Sequence, residues 1–184
     1  MALDIAQVEA VVMERMPNRN AALQRDVARA IDEEARQAGL DPLLMLALIH
    51  VESSFDPGAV SDAGAIGLMQ LRERTLHREI ERAGLAPADP RDPVANVRAG
   101  TRYLRRLVTA FGSTDLALMA YNAGPNRILS YYRAGDIPDR FHGYPRRIRS
   151  ERERLRSMVE RRHRGAEAAD VERAARKGGS LPPL

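Results

Sequence analysis

The 184-residue sequence contains no cysteine, a single lysine and few aromatic residues. The absence of cysteine excludes disulfides and thiolate chemistry from this chain. Because Lys177 is the only lysine, nearly all of the positive charge is carried by arginine. Aromatic residues make up 4% of the sequence and hydrophobic residues 44%, which predicts a core built mainly from aliphatic side chains.

The sequence also lacks a long apolar segment. The longest apolar run, residues 42–49, is too short to span a bilayer. Near the N-terminus, the acidic residues Asp4, Glu9 and Glu14 break up the apolar residues. The hydrophobic stretch that a signal peptide requires is therefore missing from this part of the sequence. The sequence therefore predicts neither a membrane span nor a signal peptide.

The net charge of +4 is unevenly distributed. Residues 146–177 contain 12 basic and 6 acidic residues, whereas the remainder contains 17 basic and 19 acidic residues. A basic segment can bind nucleic acid, but here acidic residues alternate with the arginines and no aromatic residues accompany them. We therefore expect a solvated helix, and nucleic acid is not a favoured partner.

Hydrophobic periodicity predicts a mainly α fold with little or no β-sheet. Prolines and glycines predict connectors at residues 85–93 and 136–144, and low apolar content from Gly165 onwards predicts disorder. The predicted helices cover residues 3–16, 21–38, 42–54, 68–83, 96–111, about 114–123, 128–134 and 145–164.

The third predicted helix ends in an unusually placed carboxylate. Asp41 is its expected N-cap, and Met45, Leu48, Ile49 and Glu52 share one face at helical spacing. Glu52 is then either a helix-end residue turned towards solvent or an acid partly withdrawn from water. Withdrawal raises the pKa of a carboxyl group, which is what a general acid requires near neutral pH. Spacing alone leaves both interpretations open.

Two other local patterns can form part of a binding site. Gly64 and Gly67 indicate a close backbone approach, either to another segment or to a ligand. Tyr121 and Asn122 come just before a helix break at Gly124. An aromatic ring and an amide suit carbohydrate binding, but a buried tyrosine with a capping asparagine is an equal alternative.

The sequence offers no other catalytic group of comparable promise. Asp56 and Asp62 could partner Glu52, although we expect the first in a turn and the second as a cap. No serine nucleophile motif is present, and His50 is interpreted as structural. The four histidines lack metal-ligand spacing, so neither a metal nor a cofactor is predicted.

Four sequence blocks, in order, resemble the catalytic domain of the soluble lytic transglycosylases. This family is the goose-type-lysozyme-like branch of the lysozyme superfamily. The resemblance covers residues 40–148. The blocks are 47–57 (ALIHVESSFDP), 64–71 (GAIGLMQL), 92–107 (Asp92-Pro93, Asn96, Ala99-Gly100, Tyr103-Leu104 and Leu107) and 116–125 (Leu116-Ala117-Leu118 and AYNAGP at 120–125).

The resemblance implies a lysozyme-like helical domain with a substrate groove, which we place at residues 1–150. Residues 151–184 would form an arginine-rich helical extension and a disordered tail. Glu52 matches the single catalytic glutamate of the family. The residues expected in or near the groove are Ser61, Met69, Gln70, Tyr121, Asn122 and Tyr144.

The chain departs from the family pattern in two places. Arg72-Glu73 replaces the usual Met-Pro after the second block, and the segment that follows is charged up to Pro93. The acidic-threonine pair that commonly precedes the tyrosine matched by Tyr144 is missing. These departures concern the rim of the groove and leave Glu52 unaffected.

The resemblance further implies cleavage of the β-1,4 bond between N-acetylmuramic acid and N-acetylglucosamine in peptidoglycan, with a 1,6-anhydromuramoyl product. The alternatives are a hydrolase on the same fold and a non-catalytic peptidoglycan-binding or assembly module. The expected partner is the glycan strand of the cell envelope or periplasm. Phage-particle, secretion and flagellar machinery stay open as further partners and settings.

Overall fold

Helices dominate this computed structural model, which describes residues 3–84, 89 and 91–178. The mainly α prediction is confirmed, and the described sheet is one antiparallel pair of two-residue strands. In order, the elements are α1 (Ile5–Arg15), α2 (Ala21–Ala38), α3 (Pro42–Ser53), β1 (Ala65–Ile66), β2 (Leu71–Arg72), α4 (Glu73–Arg82), α5 (Pro93–Phe111), α6 (Thr114–Ala123), α7 (Pro125–Ala134), a 3-10 helix (Asp139–Phe141) and α8 (Gly143–Gly178).

The helix ends follow local sequence signals. Five helices begin after a side chain that accepts a hydrogen bond from a backbone N–H of the first turn. These N-caps are Asp4, Asn20, Asp41, Asp92 and Ser113. Helices α2 and α5 end at glycines in the left-handed region, Gly39 and Gly112.

Helix α3 lies at the centre of the core. Every residue from Pro42 to Ile49 is buried, so the helix is enclosed on all sides instead of burying a single stripe. It packs between α2 and α8, and the same core takes in Leu155 and Val159 of α8. The fold therefore surrounds the helix that carries Glu52 before that helix reaches the surface.

The prediction of a helix starting at Leu68 is wrong. Ala65–Ile66 and Leu71–Arg72 form a hairpin in which Ile66 pairs with Leu71, and α4 begins only at Glu73. Gly67 at φ +77° and Gln70 at φ +46° make the connecting turn. A right-handed helix cannot contain these positive φ values, so the turn excludes the first five residues of the predicted helix.

The expected disorder from Gly165 is also wrong for the described part of the tail, because α8 continues to Gly178. Residues 161–169 are exposed, but their alanine, glutamate and arginine residues favour helix without tertiary packing. Residue 150 lies inside α8, and the division of the chain there stays a prediction. Residues 85–88 and 90 of the predicted proline-rich connector, and residues 179–184, lie outside the described residues.

In the described part of the chain, none of the helices combines the length and the apolarity that crossing a membrane would require.

Candidate active site

Glu52 lies in the last turn of α3, where the helix leaves the core. The next residues, Ser54 and Phe55, have φ values of +52° and +64°, so the backbone turns sharply away from the helix axis. Ser53 ties this helix end to the neighbouring hairpin because its hydroxyl donates to the carbonyl of Leu68 at 2.8 Å. The half-buried carboxyl group of Glu52 is thereby held beside the β1–β2 turn.

The surroundings of Glu52 favour its protonated form. Burial raises the pKa of this carboxyl group above its usual value, and this outweighs the opposing effects of a hydrogen bond from Tyr144 and the positive charge of Arg147. The Tyr144 hydroxyl donates to Oε1 of Glu52. Oε2 accepts no hydrogen bond from the described residues, so it is available to carry a transferable proton.

Tyr144 reaches Glu52 from the first turn of α8, 92 residues further along the chain. Its side chain is 5% exposed, and burial raises its pKa well above the usual value. The phenol is therefore a neutral donor near pH 7. The guanidinium carbon of Arg147 lies 5.7 Å from the centre of the Tyr144 ring, which places a positive charge on the outer side of this contact.

Asn96, fully buried in α5, fixes the hairpin against the helical body. Its Oδ1 accepts from the backbone N–H of Met69 at 2.8 Å, and its Nδ2 donates to the carbonyl of Ile66 at 2.9 Å. A Cβ at Gly67 would lie 2.7 Å from Asn96 Nδ2. Glycine is thus required here both by this contact and by its positive φ.

A second close approach holds Met69 in the core. A Cβ at Gly100 of α5 would lie 2.4 Å from the Met69 sulfur, and the Met69 side chain is completely buried. Met69 is therefore not among the residues that line the cavity next to Glu52, which is described below. Its backbone carbonyl instead accepts the hydroxyl hydrogen bond of Tyr121 at 2.8 Å.

The polar loop residues use their side chains to brace the loop. Gln70 Nε2 donates to the carbonyls of Ala59 and Gly67 at 3.1 and 3.0 Å, and Ser61 Oγ accepts from the N–H of Ala65 at 3.0 Å. Both residues also line the cavity next to Glu52. They give it a rigid polar wall.

Tyr121 and Asn122, at the end of α6, form the opposite wall. The Tyr121 ring lies 5.3 Å from the ring of Tyr103, with the two planes tilted by 44°. Burial raises the pKa of Tyr121 well above its usual value, so its hydroxyl stays neutral. Asn122 is exposed and its amide faces no partner among the described residues.

The cavity that these walls enclose has a volume of about 540 Å³. Glu52 is the only carboxylic acid among its lining residues. Of the residues singled out from the sequence, Glu52, Ser61, Gln70, Tyr121 and Asn122 line it, while Tyr144 contacts Glu52 from the side of α8. The full lining is Glu52, Ser61, Ala63, Ala65, Gln70, Leu71, Arg72, Thr75, Tyr103, Tyr121, Asn122, Ala123, Gly124 and Pro125.

Sequence reasoning missed three contributors to this site. The sequence pattern identified Tyr103 and Asn96 only as members of the third block, and it gave no indication of Arg147. The spacing of Asn96 and Tyr103 could have indicated their common location. Residues seven positions apart lie on the same face of a helix. The proximity of Arg147 to Glu52 has no local signal because it depends on how α8 packs against α3.

The other acids and histidines do not assemble a second site. Asp56 accepts from the N–H of Gly58 at 2.9 Å, as expected for a turn residue. His50 Nε2 lies 3.7 Å from Glu151 Oε1 and does not line the cavity. Within residues 3–84, 89 and 91–178, no group of three or more histidine, aspartate or glutamate residues could hold a metal ion.

A mainly helical, lysozyme-like fold thus presents Glu52 as the one carboxyl group among the described residues that line this cavity. The model of the Transglycosylase SLT domain family matches residues 29–139, which is more than half of the chain. The chain therefore belongs to the Transglycosylase SLT domain family.

Solved structures give the same fold. An inactive variant of the lytic transglycosylase Slt from Pseudomonas aeruginosa is 27% identical, with a TM-score of 0.64 over 72% of this chain and 24% of that one. The 70 kDa soluble lytic transglycosylase from Escherichia coli is 24% identical, with a TM-score of 0.64 over 80% and 26% of the two chains.

A structure of a 70 kDa soluble lytic transglycosylase in complex with bulgecin A is 19% identical, with a TM-score of 0.65 over 85% and 31% of the two chains. At these identities, the last two comparisons establish the fold alone. The chain spans about a quarter of the length of the first two proteins, so their further parts have no counterpart in this similarity.

Proposed function

We propose that this chain is a peptidoglycan lytic transglycosylase in which Glu52 acts first as general acid and then as general base. The observation that carries the proposal is the raised pKa of Glu52 in a groove that contains no other carboxylic acid among its lining residues. Membership of the Transglycosylase SLT domain family supports the same chemistry. The glycan strand of the cell envelope would be the substrate and partner.

In the first step, protonated Glu52 donates its proton to the oxygen of the β-1,4 bond between N-acetylmuramic acid and N-acetylglucosamine. The bond from C1 to that oxygen breaks, and its electron pair leaves with the oxygen. The Tyr144 hydroxyl on Oε1 steadies the carboxylate that forms. The acetamido group of the substrate would stabilise the positive charge that develops at C1.

In the second step, the C6 hydroxyl of the same muramoyl residue attacks C1 and gives its proton to the Glu52 carboxylate. This closes the 1,6-anhydro ring and restores the protonated acid, so no water is consumed. The attack is intramolecular, which makes it effective when the sugar is held in position. A scheme with a second carboxylate as nucleophile is not supported, since Asp56 is used in a turn.

Two observations favour binding of a sugar chain in this groove. Tyr121 and Tyr103 present aromatic surface beside Glu52, and Asn122 offers an amide. Gln70 and Ser61 form a polar wall that is already fixed by hydrogen bonds to the backbone. Aromatic rings with fixed amides and hydroxyls are well suited to a ring face and its hydroxyl groups.

Mass spectrometry of peptidoglycan digested by this protein tests the proposal. We expect muropeptides that are lighter by one water than the products of hydrolysis, because the chain end is a 1,6-anhydro ring. Products with reducing ends would show instead that water intercepts the reaction and that the chain is a hydrolase. Intact strands after prolonged incubation would indicate a binding module without catalysis.

A further inference from the structure

A second cavity opens beside the one that contains Glu52. It has a volume of about 490 Å³ and is lined by residues of α4, α5 and the start of α7. Thr75, Tyr103 and Pro125 line both cavities, so the two cavities lie side by side. A ligand in the first cavity can therefore extend a side group into the second.

The second cavity carries an excess of positive charge. Arg78, Arg82 and Arg106 line it, and Glu79 is the only acid among its lining residues. Two positive charges are therefore not compensated within the cavity. Arg78 is exposed and has no ion-pair partner in the part of the chain that the structure describes.

Glu79 fixes the positions of the other two guanidinium groups. It is 2% exposed and accepts from Arg106 Nε at 3.0 Å and from Arg82 Nη1 at 3.1 Å. The side chains of Arg106 and Arg82 nevertheless remain 46% and 54% exposed. Because each guanidinium has five N–H donors, these contacts leave donors for a ligand. The Tyr103 ring, 5.4 Å from the Arg106 guanidinium carbon, supports Arg106 from the side of the first cavity.

We propose that this second cavity binds a carboxylate of the peptide stem that peptidoglycan carries on its muramic acid residues. The inference rests on the proposed function, since it places the glycan in the first cavity. In an intact strand the sugars offer hydroxyls and acetamido groups, because the lactyl carboxyl group of each muramic acid forms the amide bond to its stem. The free carboxylates therefore lie on the stems. Arginine matches a carboxylate with paired hydrogen bonds, and a prepositioned pair loses little side-chain freedom on binding.

Most of the positive charge of the second cavity comes from the segment where the chain departs from the family pattern. Two of its three arginines, Arg78 and Arg82, lie on α4, which begins at Glu73 of the Arg72-Glu73 pair. This cavity would therefore set a preference of this particular chain for strands with charged stems, added to the cleavage chemistry centred on Glu52.

Steady-state kinetics on three matched substrates test the proposal. The substrates are uncross-linked strands with free stem carboxylates, the same strands with these carboxylates amidated, and amidase-treated strands, which have lost the stems and keep only the lactyl carboxylate on each muramic acid. Arg78→Glu should raise KM for the first substrate by about threefold to tenfold, with little change in kcat. This rise in KM should be confined to the strands with free stem carboxylates.

Arg74→Glu provides the matched control. Arg74 lies on the same helix, is exposed and lines neither cavity, so the same charge change there should leave KM for all three substrates unaltered. An equal rise in KM on all three substrates with Arg78→Glu would overturn the proposal, as would an unchanged KM on charged strands.

Binding measurements separate this inference from the proposed cleavage. Calorimetric titration of Glu52→Gln protein with a soluble disaccharide-peptide requires no turnover. We expect tighter binding of the form with free carboxylates than of its amidated counterpart, and loss of that difference with the added Arg78→Glu change. Equal affinities would overturn the stem site even if cleavage occurs, whereas failure of the wild type to cleave any strand would overturn only the proposed function.

Discussion

Glu52 and Glu79 line neighbouring cavities that share Tyr103, and the two glutamates have opposite surroundings. Glu52 receives one hydrogen bond from a neutral phenol, and burial raises its pKa. Glu79, 2% exposed, is held by the guanidinium groups of Arg82 and Arg106. The comparison separates two uses of a carboxylate withdrawn from water.

The chemistry of the partner decides between these uses. A neutral donor leaves the cost of burying a charge largely uncompensated, which raises the pKa of Glu52 and favours the role of proton donor that we propose for it. A guanidinium pair compensates the charge, so the carboxylate serves to position the arginines.

The largest expected effect is the loss of glycan cleavage in Glu52→Gln. The amide keeps the shape of the side chain but cannot donate a proton, so the rate should fall by about 10²- to 10⁴-fold. Release of soluble muropeptides from cell walls measures it. Glu79→Gln is the comparison variant and should retain cleavage of stem-free strands. A Glu52→Gln protein that keeps a substantial fraction of the activity would contradict the assignment of the acid.

Gly100→Ala should be the most destabilising of the conservative changes near the groove. A methyl group there would lie 2.4 Å from the Met69 sulfur, in a fully buried site. Overpacking of this kind costs about 1–3 kcal/mol of unfolding free energy. Urea unfolding measures the difference.

Gly165→Ala is the control for that change, because nothing lies within 4 Å of a Cβ at this position and alanine favours helix. It should be neutral or slightly stabilising. Equal stabilities of the two alanine variants would show that α5 and the Met69 segment are packed less closely than we describe.

The two glutamate-to-glutamine changes should shift stability in opposite directions at neutral pH. Glu79→Gln leaves Arg82 and Arg106 without their carboxylate and should cost about 1–2 kcal/mol, limited by the exposure of both arginines. Glu81→Gln on the same helix is exposed and should have little effect. Urea unfolding at pH 7 measures the free energy of unfolding of Glu79→Gln and Glu81→Gln relative to the wild type.

The direction of the stability change in Glu52→Gln follows from the difference between the folded-state and unfolded-state pKa values of Glu52. Burial raises the folded-state pKa of Glu52, so its favourable contribution is complete below the unfolded-state pKa and is lost as the pH rises through the folded-state value. At neutral pH the glutamine variant should therefore be more stable than the wild type. The difference should shrink below about pH 4, near the ordinary pKa of glutamate. A variant that is less stable at neutral pH would mean that Glu52 is better solvated than described.

The smallest expected effect is on the pH profile of Tyr144→Phe. The Tyr144 hydrogen bond lowers the pKa of Glu52, so its removal should raise that pKa and move the alkaline limb of kcat/KM to higher pH. Arg147→Gln should act in the same direction to a smaller extent. The neighbouring Arg146→Gln is a control, and an alkaline limb that moves to lower pH in Tyr144→Phe would refute this account.

Much of the fold was predictable because its signals are local. The bounds of α2 at Ala21–Ala38 agree with the prediction, since Asn20 caps its start and Gly39 ends it. The predicted start of α4 at Leu68 was wrong, because Gln70 has a positive φ that ends any right-handed helix there. A glutamine does not indicate a positive φ in the way that a glycine would. The length of α8 was underestimated, since low apolar content argues against packing but does not prevent a helix.

The sequence by itself determined the helical class and the family, and it led to the proposal that Glu52 is the catalytic acid, since each of these depends on spacing or on motifs along the chain. Only the tertiary structure decided what surrounds that acid. Tyr144 lies 92 residues away, and Met69, expected in the groove, is buried instead against Gly100. The pKa of a carboxyl group depends on burial and on partners brought together by folding, which no local pattern specifies.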